Sequence, residues 1–290
     1  MGGVATLGSF AHAAPAAPPL RKTIPSSGES IPAIGMGSWR TFDVDPSLQA
    51  SRTAVLGAFF DDGGSVIDSS PMYGRSQAVI GRALGDLGRA ATVFAADKVW
   101  MEGRDAGRRQ IALASERWGV ERFSLLQVHN LVDWRVHLET LFEMKARGRL
   151  AYVGVTTYAG LRHDEVGQIM LSQPIDFVQL TYNLADREAE TRLLPLAAEK
   201  GIAVIANRPF REGDLIRSFA GKPLPAVAAE IGAANWAQYL LKFIVSHPAI
   251  ACAVPATRRT DHMRENMGAV AGPVPDQAMR GEMLRAAIEA

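Results

Sequence analysis

Residues 123–157 read FSLLQVHNLVDWRVHLETLFEMKARGRLAYVGVTT. Its two ends, FSLLQVHN (123–130) and LAYVGVTT (150–157), are apolar runs too short for a helix of ordinary length. They are apolar almost continuously rather than at alternate positions, which suits parallel strands covered on both faces. Between them, in 133–148, Trp134, Leu138, Leu141 and Met144 recur at helical spacing. The segment therefore reads as strand, helix and parallel strand.

The same rhythm extends in both directions. Further runs are SVIDSS (65–70), TVFAADKV (92–99), DFVQLTYN (176–183), IAVIANRPF (202–210) and ACAVPAT (251–257), and Ile34–Gly37 makes the eighth. Helical candidates lie at 47–62, where Leu48, Val55, Ala58 and Phe59 share a face, and at 186–200, 226–246 and 260–270. Eight strands alternating with helices, with no disordered linker among them, predict an α/β fold: a single-domain (β/α)8 TIM barrel over 22–290. Ser26-Ser27-Gly28-Glu29, flanked by two short apolar runs, predicts an N-terminal β-hairpin that closes one end of the barrel.

The chain has 290 residues, 48% of them hydrophobic, and a net charge of +1. That balance gives no reason to expect nucleic acid or an acidic membrane surface as partner. A single cysteine, Cys252, excludes an internal disulfide, and no Cys/His cluster has zinc spacing, so no metal is expected. The longest apolar run, Trp236–Val245, is broken by Gln238 and Lys242 and is too short to span a bilayer. Residues 1–21 are set apart as a leader. The stretch MGGVATLGSFAHAAPAAPP (1–19) has no acidic residue, lysine or arginine, and Ala11-His12-Ala13 has the form of a signal-peptidase site. Two readings stand. One is a disordered leader on a cytoplasmic protein. The other is an export signal with its basic start upstream of Met1 and a mature chain beginning near Ala14; a protein that leaves already folded would use a twin-arginine type of signal to reach the periplasm.

In such a barrel the active site lies at the C-terminal ends of the strands. Those ends carry Asp68, followed by Tyr73, then Lys98 and His129. Reducing a carbonyl needs a proton on oxygen. A tyrosine titrates near pH ~10 and is a poor acid at neutrality; a neighbouring ammonium stabilises its phenolate, a carboxylate keeps that ammonium charged, and a neutral histidine orients the carbonyl. Taken singly each has a plainer reading: a turn-capping Asp, a packing Tyr, a surface Lys and a core His. Their placement on adjacent strand ends favours the joint one.

VIDSSPMYGRSQAVIGRAL (66–84) resembles the segment of the aldo-keto reductase family in which Asp-Thr-Ala-x-x-Tyr-Gly precedes a Glu-x-x-x-Gly helix; Asp68, Tyr73, Gly74 and Gly81 match, and Gln77 stands where Glu is usual. Lys98 in DKVW and His129 in LLQVHN are similar to the family's other two catalytic positions, and YVGVTTY (152–158), FVQLTYN (177–183) and VPATRRTDHMREN (254–266) resemble its cofactor-binding segments. The resemblance implies reduction of an aldehyde or ketone with NADP(H), or NAD(H), and no Rossmann domain. Asp68 would lie near the nicotinamide ribose, and Thr156 and Gln179 would hold the carboxamide, with Thr157 in place of the usual Asn. Asn207 and Arg208 stand where a stacking tyrosine is frequent. The adenosine side would fall to Pro255, Thr257, Arg258, Arg259, Glu265 and Asn266, while Ala256 and His262 replace a frequent Lys and Arg. Arg258 and Arg259 open a predicted helix and are suited to a 2′-phosphate, or are a solvated surface pair. Trp39, Trp100 and His129 are expected to line the substrate pocket, with Met101 and Phe210 nearby. The partner expected is a small-molecule carbonyl substrate; the oligomeric state is left open, a monomer among the options. The alternative to an enzyme is a slow, cofactor-binding regulatory or redox-sensing module on the same barrel.

Overall fold

A computed structural model describes residues 19–290. The leader reading over residues 1–21 lies outside the described residues as far as residue 18; at its end the Leu20 N–H donates to Val270 O at 2.9 Å and Arg21 already opens the first strand. The first strands are the expected hairpin: β1 (Arg21–Thr23) pairs antiparallel with β2 (Ser30–Pro32), Arg21 opposite Pro32 and Thr23 opposite Ser30. Its turn closes with the N–H groups of Ser27 and Gly28 both donating to Ile24 O, at 3.2 and 2.9 Å. Gly28 sits there at φ +78°, a value that favours glycine.

Eight parallel strands follow: β3 (Met36–Gly37), β4 (Val66–Asp68), β5 (Phe94–Val99), β6 (Phe123–Val128), β7 (Leu150–Thr156), β8 (Phe177–Thr181), β9 (Ala203–Asn207) and β10 (Ile250–Ala253). Each pairs with the next in sequence. The ring shuts through Gly35 N–H to Ala253 O at 2.8 Å, Gly37 N–H to Pro255 O at 2.9 Å and Ala253 N–H to Ala33 O at 2.9 Å. The eight strands and their order are those the apolar runs predict.

Helices α1 (Gln49–Asp61), α2 (Ser76–Leu87), α3 (Arg104–Trp118), α4 (Trp134–Ala146), α5 (His163–Ser172) and α6 (Leu193–Lys200) connect successive strands; α7 (Asp214–Ser218), α8 (Val227–Glu230) and α9 (Trp236–Val245) lie between β9 and β10, and α10 (Thr260–Gly268) and α11 (Gln277–Glu289) follow. The helix expected over 226–246 is two helices. Gly232 turns left-handed at φ +66°, and Asn235 caps α9 by accepting the Gln238 N–H at 2.9 Å. The sequence reading assigns no helix to α11; only Arg280, Met283 and Ala287 of it are buried, too sparse a face to read as a stripe.

Two cores result. The larger lies between the strands and the helices. The smaller fills the barrel, where Phe94, Leu125, Tyr152 and Phe177 meet Ile24 and Ile31 of the hairpin. Tyr152 Oη donates to Glu29 Oε2 at 2.5 Å and lies 2.7 Å from Ser27 Oγ, so the hairpin is pinned over the N-terminal end.

Candidate active site

Alternate residues of a strand face the same side. On β5 the interior positions are Phe94, Ala96 and Lys98, and on β8 they are Phe177 and Gln179. The apolar filling therefore gives way, toward the C-terminal ends, to a polar layer. Lys98 Nζ donates to Asp68 Oδ2 at 2.6 Å and to Ser69 O at 2.8 Å. Gln179 Nε2 donates to Asp68 Oδ1 at 2.9 Å, with Gln127 Nε2 at 3.5 Å from the same atom. Ser38 Oγ, donating to Asp68 O at 3.0 Å, braces the strand end. Lys98 is 1% exposed, which removes the surface-lysine reading.

Tyr73 and His129 cover this layer. The Lys98 ammonium lies 5.4 Å from the Tyr73 ring centroid. The Tyr73 and His129 rings meet edge-on at 5.8 Å between centroids. His129 Nδ1 is 2.8 Å from Ser70 Oγ. When that hydroxyl donates, the ring proton sits on Nε2, the nitrogen free to donate to a ligand.

Electrostatics sharpens the roles. Burial alone would pull the Lys98 pKa down, but Asp68, and Tyr73 beside it, reverse this and hold it above the usual lysine value. Burial, with the Lys98 charge adding to it, pushes His129 down to about 2, so the imidazole is neutral. Tyr73 departs from the sequence expectation. Burial raises its pKa and outweighs the opposing pull of Lys98, with Asp68 and Asp97 raising it further. The resting phenol is therefore fully protonated at neutral pH.

Above these groups opens a cavity of about 730 Å³. Its wall brings together Trp39, Asp68, Tyr73 and His129 with Thr156, Thr157, Gln179, Asn207 and Arg208, and farther along Thr257, Glu265 and Asn266, all singled out in the sequence. Two of these are committed to the scaffold: the Thr157 hydroxyl donates to Leu161 O, and Asn207 donates to Thr157 O at 2.8 Å while accepting from Thr181 Oγ1 at 2.6 Å. Arg208 pairs with Glu212 at 2.6 Å, and Glu212 reaches across to Arg40 at 2.8 Å, so the loop after β9 is tied to the loop after β3.

Five expected residues lie elsewhere. Lys98 is beneath the floor rather than in the wall. Trp100 is on the outer rim, because Gln110 clasps its backbone N–H at 2.7 Å and its carbonyl at 3.0 Å as the chain turns away into α3. Pro255 is held in the closing ladder, where its carbonyl accepts from Gly37. Arg258 and Arg259 stand outside the wall, and the Arg259 fork is occupied by Asp261. Sequence reasoning missed Ser70, Gln127, Met72, Tyr158 and Glu212. Ser70 was within reach, since it stands two residues past Asp68 at a strand end; Glu212 had no local signal.

The family model described as "Aldo/keto reductase family" matches residues 33–281. Methylglyoxal reductase YeaE of Escherichia coli is 28% identical over 257 residues, covering 85% of this chain and 88% of that protein. The NADH-specific methylglyoxal reductase of Escherichia coli is 22% identical over 228 residues, covering 63% and 65%. Among solved structures, an aldo-keto reductase from Klebsiella pneumoniae in complex with NADPH superposes with a TM-score of 0.76 at 24% identity, over 92% of this chain and 95% of that one. With a matching model that spans the barrel from β3 into α11, and the site geometry above, this chain belongs to the aldo/keto reductase family.

Proposed function

We propose that the protein reduces a small aldehyde or ketone to an alcohol, with a nicotinamide dinucleotide as reductant and Tyr73 as proton donor. The observation that carries this reading is the placement of Tyr73 between the buried Lys98 ammonium and the His129 ring at the floor of a large cavity. The donor set fits the cofactor. Gln179 uses its amide nitrogen on Asp68, so its oxygen is the atom it offers to a ligand amide, and Thr156 stands beside it in the wall. Gln179 and Thr156 would hold a reduced nicotinamide there, and the chemistry it would supply is a hydride for the carbonyl carbon. His129 donates to the carbonyl oxygen and fixes its direction. Tyr73 releases its proton to that oxygen, Lys98 and its bonds to Asp68 and Ser69 stabilise the phenolate left behind, and solvent restores the proton.

For the choice of cofactor we favour NADPH, through Arg258. Burial, and after it the nearby Arg258 charge, depresses Arg52, and a 2′-phosphate bound by Arg258 would relieve that repulsion. Arg259 is held by Asp261 and is the weaker candidate. By its name the Escherichia coli relative reduces methylglyoxal, which makes short 2-oxoaldehydes the first substrates to try. Export of the protein is a separate proposal; a mature N-terminus near Ala14 in the periplasm of the host supports it, and a full-length cytoplasmic chain refutes it.

The test is Tyr73→Phe. The variant should fold and bind cofactor as the parent does, while kcat falls by roughly 10²–10⁴-fold, the usual worth of a general acid. Near-normal turnover by the variant sinks the assignment, and no turnover by the parent with any carbonyl favours a regulatory module.

A further inference from the structure

Asp97 has no part in the steps above, yet it is a fully buried carboxylate directly beside Lys98 in the chain. It alternates with Lys98 along β5, so it faces outward, toward α2 and α3. Its Oδ1 accepts the Lys98 backbone N–H at 2.7 Å. Its Oδ2 accepts from Gln77 Nε2 at 2.8 Å and Trp118 Nε1 at 2.6 Å. Among the described residues no Lys or Arg forms a salt bridge with it. A buried carboxylate held only by neutral donors is a costly way to fasten a strand, since apolar packing fastens one at less cost.

What it fastens gives the reason. Gln77 lies in the first turn of α2, four residues after Tyr73, and Trp118 ends α3. A carboxylate only accepts, so the Gln77 nitrogen must face it, and Arg117 donates to the Gln77 oxygen at 3.2 Å, fixing the amide the same way. Gly81 permits the approach, because a Cβ there would overlap the Arg117 carbonyl oxygen. Where Glu is frequent at position 77, Gln here avoids two facing carboxylates.

We propose that Asp97 is a positioning residue which, through Gln77, ties the Tyr73 loop and α2 to the strand end that carries Lys98 and so sets the Tyr73–Lys98 spacing. This rests on the roles given to Tyr73 and Lys98. The charged and titratable groups around Asp97 are Lys98 on its own strand, Asp68 on β4, Tyr73 in the loop and Arg117 on α3. Burial pushes its carboxyl up to about 6, against the pull of its N–H donors and Lys98. Below that pH the acceptor gains a proton, and the pin weakens.

The experiment measures kcat and KM from pH 5 to 9, with thermal melts, for the parent, Asp97→Asn, Gln77→Glu, the double variant Asp97→Asn/Gln77→Glu, and Tyr73→Phe. A shift of the proton donor by a fraction of an ångström is expected to lower kcat roughly 10- to 100-fold in Asp97→Asn. KM should stay within about threefold, since binding is untouched. The parent's fall in kcat below about pH 6 should be absent from that variant. Gln77→Glu should lose activity as pH rises, when both facing carboxylates ionise. The double variant exchanges donor and acceptor between the two positions: the amide at position 97 donates to the carboxylate at position 77, which also accepts from Arg117, while Trp118 Nε1 loses its acceptor. It should recover part of the kcat lost in Asp97→Asn. Lower melting temperatures with an unchanged kcat and pH profile in the folded single variants, or no recovery in the double, overturn the pin. If Asp97→Asn does not fold, Gln77→Glu and its pH profile decide alone. Full activity in Tyr73→Phe brings down the catalytic reading itself, whereas an inactive Tyr73→Phe beside normal Asp97→Asn and Gln77→Glu brings down only the pin.

Discussion

The two ends of the barrel are built from the same strands and have opposite chemistry. At the N-terminal end Phe94, Tyr152 and Phe177 pack with Ile24 and Ile31 beneath the hairpin, each at most 6% exposed. Two or four residues farther along the same strands, Thr156 and Gln179 form a polar floor under an open cavity, with Lys98 just beneath it. The change requires only that successive interior positions switch from apolar to polar. It separates what holds the barrel together from what it does, so substitutions at the two ends should report differently.

The largest effects come from removing a large side chain at each end. Phe177→Ala empties space in the closed end and should cost roughly 3–5 kcal/mol of stability, with kcat of the folded protein unchanged. Lys98→Met leaves Asp68 buried without its cation, which costs a similar 3–5 kcal/mol, and it also removes the charge beneath Tyr73, so turnover collapses. Denaturant unfolding and steady-state kinetics on both variants separate the two. A large rise in cofactor KM for Phe177→Ala would show that the ends are coupled and break the comparison.

A second test sharpens the outer rim of the open end. A charge-assisted bond to a phosphate is worth about 1.5–3 kcal/mol, so Arg258→Ala should weaken NADPH roughly 10- to 100-fold and spare NADH. Arg259→Ala should do less, because Asp261 already holds that guanidinium. Fluorescence titration with both cofactors checks this; equal losses for NADPH and NADH would show that Arg258 does not read the phosphate.

The architecture and most of the floor were legible because they follow period. Apolar runs give strands, their ends give Asp68, Lys98 and His129, and Tyr73 follows from its spacing to Asp68. What was not legible depends on direction or on distant partners. Trp100 reads as a pocket residue, but Gln110 turns the chain away. Arg259 reads as a phosphate ligand until Asp261, two residues on, takes its fork. The Tyr73 pKa reads as lowered by Lys98 alone, because the desolvation that raises it belongs to the folded cavity. Asp97 is invisible as anything but a strand residue until α2 and α3 bring Gln77 and Trp118 to it.

The open end also makes stability depend on pH, in two opposing ways. His129 is held near pKa 2 against an ordinary 6.5, so the unfolded chain takes up a proton that the folded one refuses, and stability falls as pH drops below 6.5. Asp97, raised to about 6 from 3.8, does the reverse: the folded state takes up a proton first, and stability rises as pH drops from 6 toward 4. Each slope is about 1.4 kcal/mol per pH unit, and between pH 6 and 4 they nearly cancel. His129→Gln should therefore unmask Asp97 and become about 1–2 kcal/mol more stable at pH 5 than at pH 7 relative to the parent. Urea unfolding at both pH values measures it. An unchanged pH dependence in the variant would mean that His129 is not held neutral.

The smallest effect gives the cleanest contrast, because one deleted atom can be compared at both ends. Tyr152→Phe removes the hydroxyl that donates to Glu29 and lies 2.7 Å from Ser27, and leaves the ring between Phe94 and Phe177, at 6.0 and 5.5 Å between centroids. Glu29 and Ser27 are exposed, so water replaces the lost bonds and no buried group is orphaned. The cost should be about 0.5–1 kcal/mol, a shift in Tm of about 2 °C for a chain of this size. Activity should not move, since nothing between the hairpin and the polar floor depends on that oxygen. Tyr73→Phe deletes the same atom at the other end, where it should leave Tm almost unchanged and remove the proton donor. If Tyr152→Phe lowered kcat as well, the hairpin would be transmitting strain through the barrel interior to Lys98, and the two ends would be one mechanical unit.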